Sequence, residues 1–186
     1  MGVRAVNRPG NVKGKNVLVI GAGTIGNVVM QSAKALGANK VVISDVSDYK
    51  LDMSKECGAD VAVNVTREKL EDVLDRELGI DGLDVVYECS ANGAALNQML
   101  RYGRKGMAFV IVAVYGKKPE IEMGLVQDRE YEIFGTLMYR HEDYLTANRL
   151  VSEGKVNLKA LISKEFPLEE AAQAYKYIEE HRDSVQ

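Results

Sequence analysis

The sequence has few of the residues that build metal sites and disulfide frameworks. Its 186 residues include only two cysteines, Cys57 and Cys89, and two histidines, His141 and His181. None of the four lies in a C-x-x-C or H-x-x-x-H spacing, so we expect neither a disulfide framework nor a metal site formed by this chain. We interpret Cys89 as a small packed thiol and His141 as part of a solvated helix start.

Long apolar runs and a large excess of one charge are also missing. No apolar run approaches the ~18 residues of a membrane-spanning helix, and the N-terminus lacks the apolar stretch of a secretory signal. The 24 basic and 27 acidic side chains leave a net charge of −3, which argues against non-specific nucleic-acid binding. We therefore expect a cytoplasmic protein that binds neither nucleic acid nor a membrane.

Apolar residues make up 46% of the chain, which is enough for a full core. They form short continuous runs separated by amphipathic stretches, a pattern typical of parallel strands covered by helices on both faces. The predicted strands are residues 17–20, 41–43, 61–63, 84–87, 108–112 and 131–137. The predicted helices between them are residues 24–36, 48–57, 67–78 and 94–102. After the sixth strand we expect a helix at 141–152, an extended stretch at 161–166 and a helix at 168–180, begun by Pro167.

A glycine-rich turn, G-x-G-x-x-G, joins the first predicted strand to the first helix. In such a turn Gly21 permits the tight bend, Gly23 leaves room for a pyrophosphate, and Gly26 lets the helix pack close to the strand. Backbone N–H groups and the helix dipole then point at the phosphates. The sequence therefore predicts an α/β fold of the Rossmann type, a doubly wound six-stranded parallel sheet that binds a dinucleotide. A turn that serves only packing is the alternative.

Asp45 lies 19 residues beyond Gly26, at the end of the second predicted strand. A carboxylate in this place accepts hydrogen bonds from the adenosine ribose and repels a 2′-phosphate, so it predicts a preference for NAD(H) over NADP(H). The alternative is a helix cap, since Asp45, Ser47 and Asp48 all suit that role. Ser90 follows the fourth strand, at the edge where ligands bind, and is a further candidate for cofactor contact.

Three segments together resemble the coenzyme domain of the zinc-containing medium-chain alcohol and polyol dehydrogenases, the sorbitol and threonine dehydrogenase group. Residues 14–45 read GKNVLVIGAGTIGNVVMQSAKALGANKVVISD. Residues 78–116 read LGIDGLDVVYECSANGAALNQMLRYGRKGMAFVIVAVYG, and residues 150–175 read LVSEGKVNLKALISKEFPLEEAAQAY. They occur in the family's order and cover nearly the whole chain.

The resemblance implies a set of cofactor contacts. Those around the pyrophosphate are Gly21, Gly23, Thr24, Ile25 and Gly26, and those at the adenosine ribose are Asp45 and Lys50. Those along the nicotinamide are Val112, Ala113 and Val114, with Leu137 and Met138 closing over its carboxamide. Two residues depart from the family pattern. Thr24 replaces a common proline, and Met138 stands where polyol enzymes often carry an arginine near the substrate, so the substrate stays open.

The resemblance also implies how the chain divides into segments and what each segment does. We expect residues 1–14 to end a linker from a missing catalytic domain, residues 15–155 to form the dinucleotide-binding domain, and residues 156–186 to form a truncated helical return segment. Zinc and its ligands would belong to the missing domain, and alcohol oxidation in this family needs that zinc. We therefore expect NAD(H) binding without turnover by this chain alone.

Two other functions share the glycine turn. One is a stand-alone NAD-sensing regulatory domain, which would have no need of the return segment. The other is a zinc-free quinone reductase of the same superfamily, whose usual preference for NADPH is opposed by Asp45. The resemblance to the dehydrogenases also implies pairing through the sixth strand, and the apolar edge at residues 131–137 accordingly predicts a homodimer or tetramer.

Overall fold

The computed structural model describes residues 1–181. Six parallel strands form one sheet in the order β3-β2-β1-β4-β5-β6. The strands are β1 (Asn16–Ile20), β2 (Lys40–Asp45), β3 (Val61–Asn64), β4 (Val85–Glu88), β5 (Ala108–Ile111) and β6 (Glu132–Gly135). This order is that of a Rossmann-type fold, and the predicted fold class is confirmed.

Helices cover both faces of the sheet and extend beyond it. They are α1 (Gly2–Val6), α2 (Thr24–Ala35), α3 (Asp48–Glu56), α4 (Leu70–Leu78), α5 (Gly93–Tyr102), α6 (Met123–Asp128), α7 (His141–Ser152) and α8 (Ala171–Glu180). Short 3₁₀ turns occupy Lys159–Leu161 and Leu168–Glu170, the second directly after Pro167. Within the described range, no helix is both long enough and apolar enough to span a membrane.

The continuous apolar strands reflect burial on both faces of the sheet. In β1, Val17 and Val19 pack into one core layer, and Leu18 and Ile20 pack into the layer on the opposite face. All four are at most 5% exposed. Because successive side chains of a strand point to opposite faces, both sets must be apolar when helices cover both sides.

The side of β1 on which successive strands are added changes between β3 and β4. The first three strands build outward from β1 on one side, and the next three build outward on the other. Ile20 at the end of β1 lies level with Ser44 of β2 and Glu88 of β4. The carboxyl ends of these strands therefore flank a crevice at the switch point, which is where such folds bind ligands.

The structure differs from the predicted elements mainly at their ends. The helix predicted at residues 67–78 starts later than expected, since α4 begins at Leu70. Strand β6 is shorter than residues 131–137. Helix α6 was not predicted from the sequence, because its six residues are too few for a helical repeat and none of them is fully buried. The last residues of the predicted return segment, 182–186, lie outside the described residues.

Candidate dinucleotide-binding site

The three glycines of the turn between β1 and α2 differ in how closely other atoms surround their Cβ positions. Gly21 adopts φ +96°, and a Cβ there would lie 3.1 Å from backbone atoms of Cys89 and Ser90. A Cβ on Gly26 would lie 1.8 Å from the carbonyl oxygen of Gly21, so only glycine lets the helix pack against the turn. A Cβ on Gly23 would meet no protein atom within 4 Å. The turn is thus closed at its two ends and open at its middle.

The open face of the turn coincides with the start of α2. Gly23 is the N-cap residue, with φ −65° and ψ −179°, and no side chain caps the helix. Its carbonyl oxygen accepts the hydrogen bond of Asn27 N at 2.9 Å. Helix geometry leaves the N–H groups of the first turn, which contains Thr24, Ile25 and Gly26, without acceptors in the helix. Such a helix start attracts an anionic group.

Asp45 connects the end of β2 to the glycine turn. Its Oδ2 accepts a hydrogen bond from Ala22 N at 2.7 Å, and its Oδ1 accepts from Val46 N at 2.8 Å and Ser47 N at 2.9 Å. The cap of α3 is Ser47, whose hydroxyl accepts from Lys50 N at 3.5 Å. The helix-cap role that the sequence left open for Asp45 therefore belongs to Ser47.

A cleft of about 400 Å³ lies over the switch point. Among the residues predicted from the sequence, those that line it are Gly21, Gly23, Asp45, Lys50 and Ser90. The cleft is also lined by Gln98 and by the apolar side chains of Val46, Val65, Leu70 and Ala95. The sequence did not point to these wall residues, because they come from separate elements and only the strand order brings them together. The cleft offers polar groups at the turn and apolar side chains from the segments after β2 and β3 and from α4 and α5.

The remaining predicted residues lie elsewhere around the crevice. Thr24, Ile25 and Gly26 continue from the cleft into the first turn of α2. Val112, Ala113 and Val114 follow β5, and Leu137 and Met138 follow β6, all outside the lining of this cleft. Val114, Leu137 and Met138 are 83%, 74% and 57% exposed. The structure therefore gathers the residues assigned to pyrophosphate and adenosine. Of those assigned to nicotinamide, Val112 is buried at 6% exposure, whereas Val114, Leu137 and Met138 lie on an open surface.

Glu88 is a buried acid at the edge of the site that the sequence did not single out. It ends β4 and is 0% exposed. Its Oε1 accepts hydrogen bonds from Ser90 N and Ser90 Oγ at 2.8 and 2.6 Å, and its Oε2 accepts from the Tyr115 hydroxyl at 2.9 Å. A charged residue that ends an apolar strand at the ligand-binding edge was the available signal.

Neither the thiols nor the acids of the described residues suggest metal or thiol chemistry. Burial, followed by the charge of Glu88, raises the pKa of the Cys89 thiol well above its usual value, so the unreactive protonated form dominates at neutral pH. Burial, followed by the charge of Glu56, also raises the pKa of Cys57. Among residues 1–181, no three His, Cys, Asp or Glu side chains are grouped so that they could hold a metal ion.

Comparison with known proteins identifies the family. The family described as zinc-binding dehydrogenase matches residues 24–153. This chain belongs to that family. It is 33% identical over 178 residues to the sorbitol dehydrogenase of Pongo abelii, covering 95% of this chain and 50% of that protein. The resemblance to the zinc-containing alcohol and polyol dehydrogenases is thereby confirmed.

Solved structures agree with this assignment. The L-idonate 5-dehydrogenase of Escherichia coli K-12 superposes with a TM-score of 0.88 at 28% identity, covering 99% of this chain and 52% of that one. A zinc-binding dehydrogenase of Sinorhizobium meliloti 1021, bound to NADP, gives a TM-score of 0.81 at 28% identity, covering 93% and 52%. The chain thus spans about half the length of the relatives it matches.

Proposed function

We propose that this chain binds NAD(H) across the cleft and forms the coenzyme-binding part of a zinc-dependent alcohol or polyol dehydrogenase. The observation that carries the proposal is the contrast within the glycine turn. Gly21 and Gly26 are enclosed by backbone atoms, whereas the Cβ position of Gly23 faces empty space within 4 Å. A fold that needed glycine only for packing has no use for the second glycine, but a closely approaching pyrophosphate does.

The surroundings of the turn fit a dinucleotide. The start of α2 supplies N–H groups for the phosphates. Val65 and Leu70, which follow β3 next to Asp45, and Ala95 of α5 supply an apolar enclosure of the kind that holds a flat aromatic base. We therefore assign the adenosine half to the β2–β3 side of the cleft, with Lys50 beside the ribose.

The Gly23→Ala variant tests this assignment. The added methyl group projects into the open space, so the free energy of unfolding should change by no more than about 1 kcal/mol. Calorimetric titration should show that NADH binding weakens at least about tenfold, because the methyl occupies the approach of the pyrophosphate.

Gly124→Ala is the matched control for that variant. Gly124 also has nothing within 4 Å of its Cβ position, but it lies in α6 and not in the cleft. This change should leave NADH binding as in the wild type. If Gly23→Ala binds NADH as tightly as the control does, the pyrophosphate does not lie on this turn.

The preference for NAD(H) over NADP(H) rests on Asp45. A carboxylate has about four acceptor sites, and Asp45 uses three of them on the backbone N–H groups of Ala22, Val46 and Ser47. The remaining site suits one ribose hydroxyl, and the negative charge disfavours a 2′-phosphate by repulsion. One relative in the family was solved with NADP, so the preference is a property of this residue and does not follow from family membership.

The chemistry we propose for the whole protein is hydride transfer between a secondary alcohol and the nicotinamide ring, which the bound cofactor supplies. In this proposal, the role of this chain is to bind and orient that cofactor. The described residues do not fit a zinc site, since no suitable group of ligands occurs among them. We propose accordingly that the chain alone binds NAD(H) without turning over an alcohol.

We further propose that two copies associate through β6. This strand ends the sheet, and Ile133 within it is 38% exposed. The side chain of Arg8 donates one hydrogen bond from Nε to Gly135 O at 2.8 Å, at the end of the strand. An open strand edge with exposed apolar residues favours pairing with another edge. Sedimentation should show a dimer or larger species, and a monomer at all concentrations would contradict edge pairing.

A further inference from the structure

The carboxylate of Glu88 is buried in a way that a purely structural position rarely requires. It is 0% exposed, and its three side-chain hydrogen bonds all come from neutral donors, Ser90 N, Ser90 Oγ and the Tyr115 hydroxyl. Burying an acid costs free energy that neutral donors recover only in part, and an apolar side chain in its place is often no less stable. A residue kept at such a cost needs a reason other than packing.

The position of Glu88 links two segments of the crevice. It lies at the end of β4, level with Ile20 of β1 on one side and Ile111 of β5 on the other. Its backbone carbonyl accepts hydrogen bonds from Val112 N at 2.9 Å and Ala113 N at 3.0 Å. The same residue therefore holds the segment after β5 at its start by its backbone and at Tyr115 by its side chain.

The segment at residues 112–115 faces the second half of a bound dinucleotide. This step rests on the function proposed above. If the adenosine lies beside Asp45 on the β2–β3 side and the pyrophosphate lies on the turn after β1, the strand order leaves only the β4–β5 side for the nicotinamide half. Val114, in the middle of this segment, is 83% exposed and has little packing of its own to hold it.

We infer that Glu88 is a positioning residue which, through the hydroxyl of Tyr115, orders residues 112–115 as the wall for the nicotinamide half of the cofactor. Burial, followed by the charge of Glu88, raises the pKa of the Tyr115 hydroxyl above its usual value, which agrees with its place as hydrogen-bond donor to this carboxylate. Ser90, which lines the cleft, is held by the other oxygen of the same carboxylate. One buried acid thereby sets the spacing of two walls.

The test compares two ligands that differ only in the half of the molecule concerned. ADP-ribose lacks the nicotinamide ring but keeps the adenosine, the pyrophosphate and the second ribose. In calorimetric titrations of the 186-residue chain, Tyr115→Phe should weaken NADH binding about tenfold, the size expected for one lost hydrogen bond to a charged group. ADP-ribose binding should stay within about twofold of the wild type.

Tyr102→Phe is the matched control. The Tyr102 hydroxyl also donates to a carboxylate, Asp75 Oδ1 at 2.8 Å, but this pair joins α5 to α4 and Tyr102 does not line the cleft. The control should bind both ligands as the wild type does. Glu88→Gln keeps the size of the side chain and removes its charge, so its hydrogen bond with the Tyr115 hydroxyl becomes one between neutral groups. This variant should show a smaller loss for NADH than Tyr115→Phe does.

The possible outcomes separate the positioning role of Glu88 from the proposed function of the chain. A loss for NADH that is not matched by ADP-ribose supports the positioning role. An equal loss for both ligands, or no loss for NADH in Tyr115→Phe, overturns it and leaves Glu88 as a structural acid only. If the wild-type chain binds neither ligand, the proposed function itself fails, and this inference fails with it. If Glu88→Gln does not fold, the comparison of Tyr115→Phe with Tyr102→Phe still gives the answer.

Discussion

The two sides of the crevice are built differently. On the β2–β3 side, Asp45 is bonded to the glycine turn, and the wall residue Leu70 is only 3% exposed. On the β5–β6 side, Leu137 and Met138 are 74% and 57% exposed, and Met138 adopts φ +56°, which is strained for a residue with a large side chain. The chain completes the first side from its own sheet and leaves the second side open.

This contrast agrees with the length of the relatives, of which the chain spans about half. The C-terminal part of the chain shows the same openness. Helix α8 has no buried residue, and Tyr175 within it and Leu168 just before it are 73% and 86% exposed. We expect apolar surfaces of this kind to have partners in the longer members of the family.

The largest effect is expected from a substitution in the glycine turn, which both sides of the crevice share. Gly26→Ala places a Cβ at 1.8 Å from the Gly21 carbonyl oxygen, so the backbone of α2 or of the turn must move. The free energy of unfolding, measured by denaturant titration, should fall by about 2–3 kcal/mol. NADH binding should be lost as well. A variant as stable as the wild type would show that the turn is looser than its geometry indicates.

A smaller effect distinguishes the two walls directly. Leu70→Ala removes a buried side chain and should lower the free energy of unfolding by about 2 kcal/mol. Leu137→Ala removes an exposed one and should change it by no more than about 0.5 kcal/mol. Denaturant titration of the two variants under the same conditions checks this. Equal destabilisation would mean that the β6 side is packed in solution, for example against a second copy.

Much of this site could be predicted from the sequence because its signals are local. The glycine turn and Asp45 each occupy a fixed place at the end of an apolar strand, so their positions follow once the strands are recognised. Val65, Leu70 and Ala95 carry no such signal, since they meet only through the order of the strands. The fold class was therefore accessible, while the apolar wall was not.

The hydrogen bond between Glu88 and Tyr115 could not be predicted from the sequence, for a related reason. The two residues are 27 positions apart, and one lies in a loop without regular structure. Their contact depends on β4 and β5 being neighbours and on how the chain turns after β5. Helix α6 escaped prediction because its six residues, of which only Leu125 and Val126 pack against the core, are too few to show a helical repeat.

The most direct test of the central claim is a calorimetric titration of the chain with NADH and with NADPH at the same ionic strength. We predict saturable binding of one dinucleotide per chain, tighter for NADH by about tenfold or more, because the charge of Asp45 opposes a 2′-phosphate. Asp45→Asn, which removes that charge, should bring the two affinities closer together. Tighter binding of NADPH to the wild type would contradict the role of Asp45, and binding of neither would contradict the assignment of the cleft.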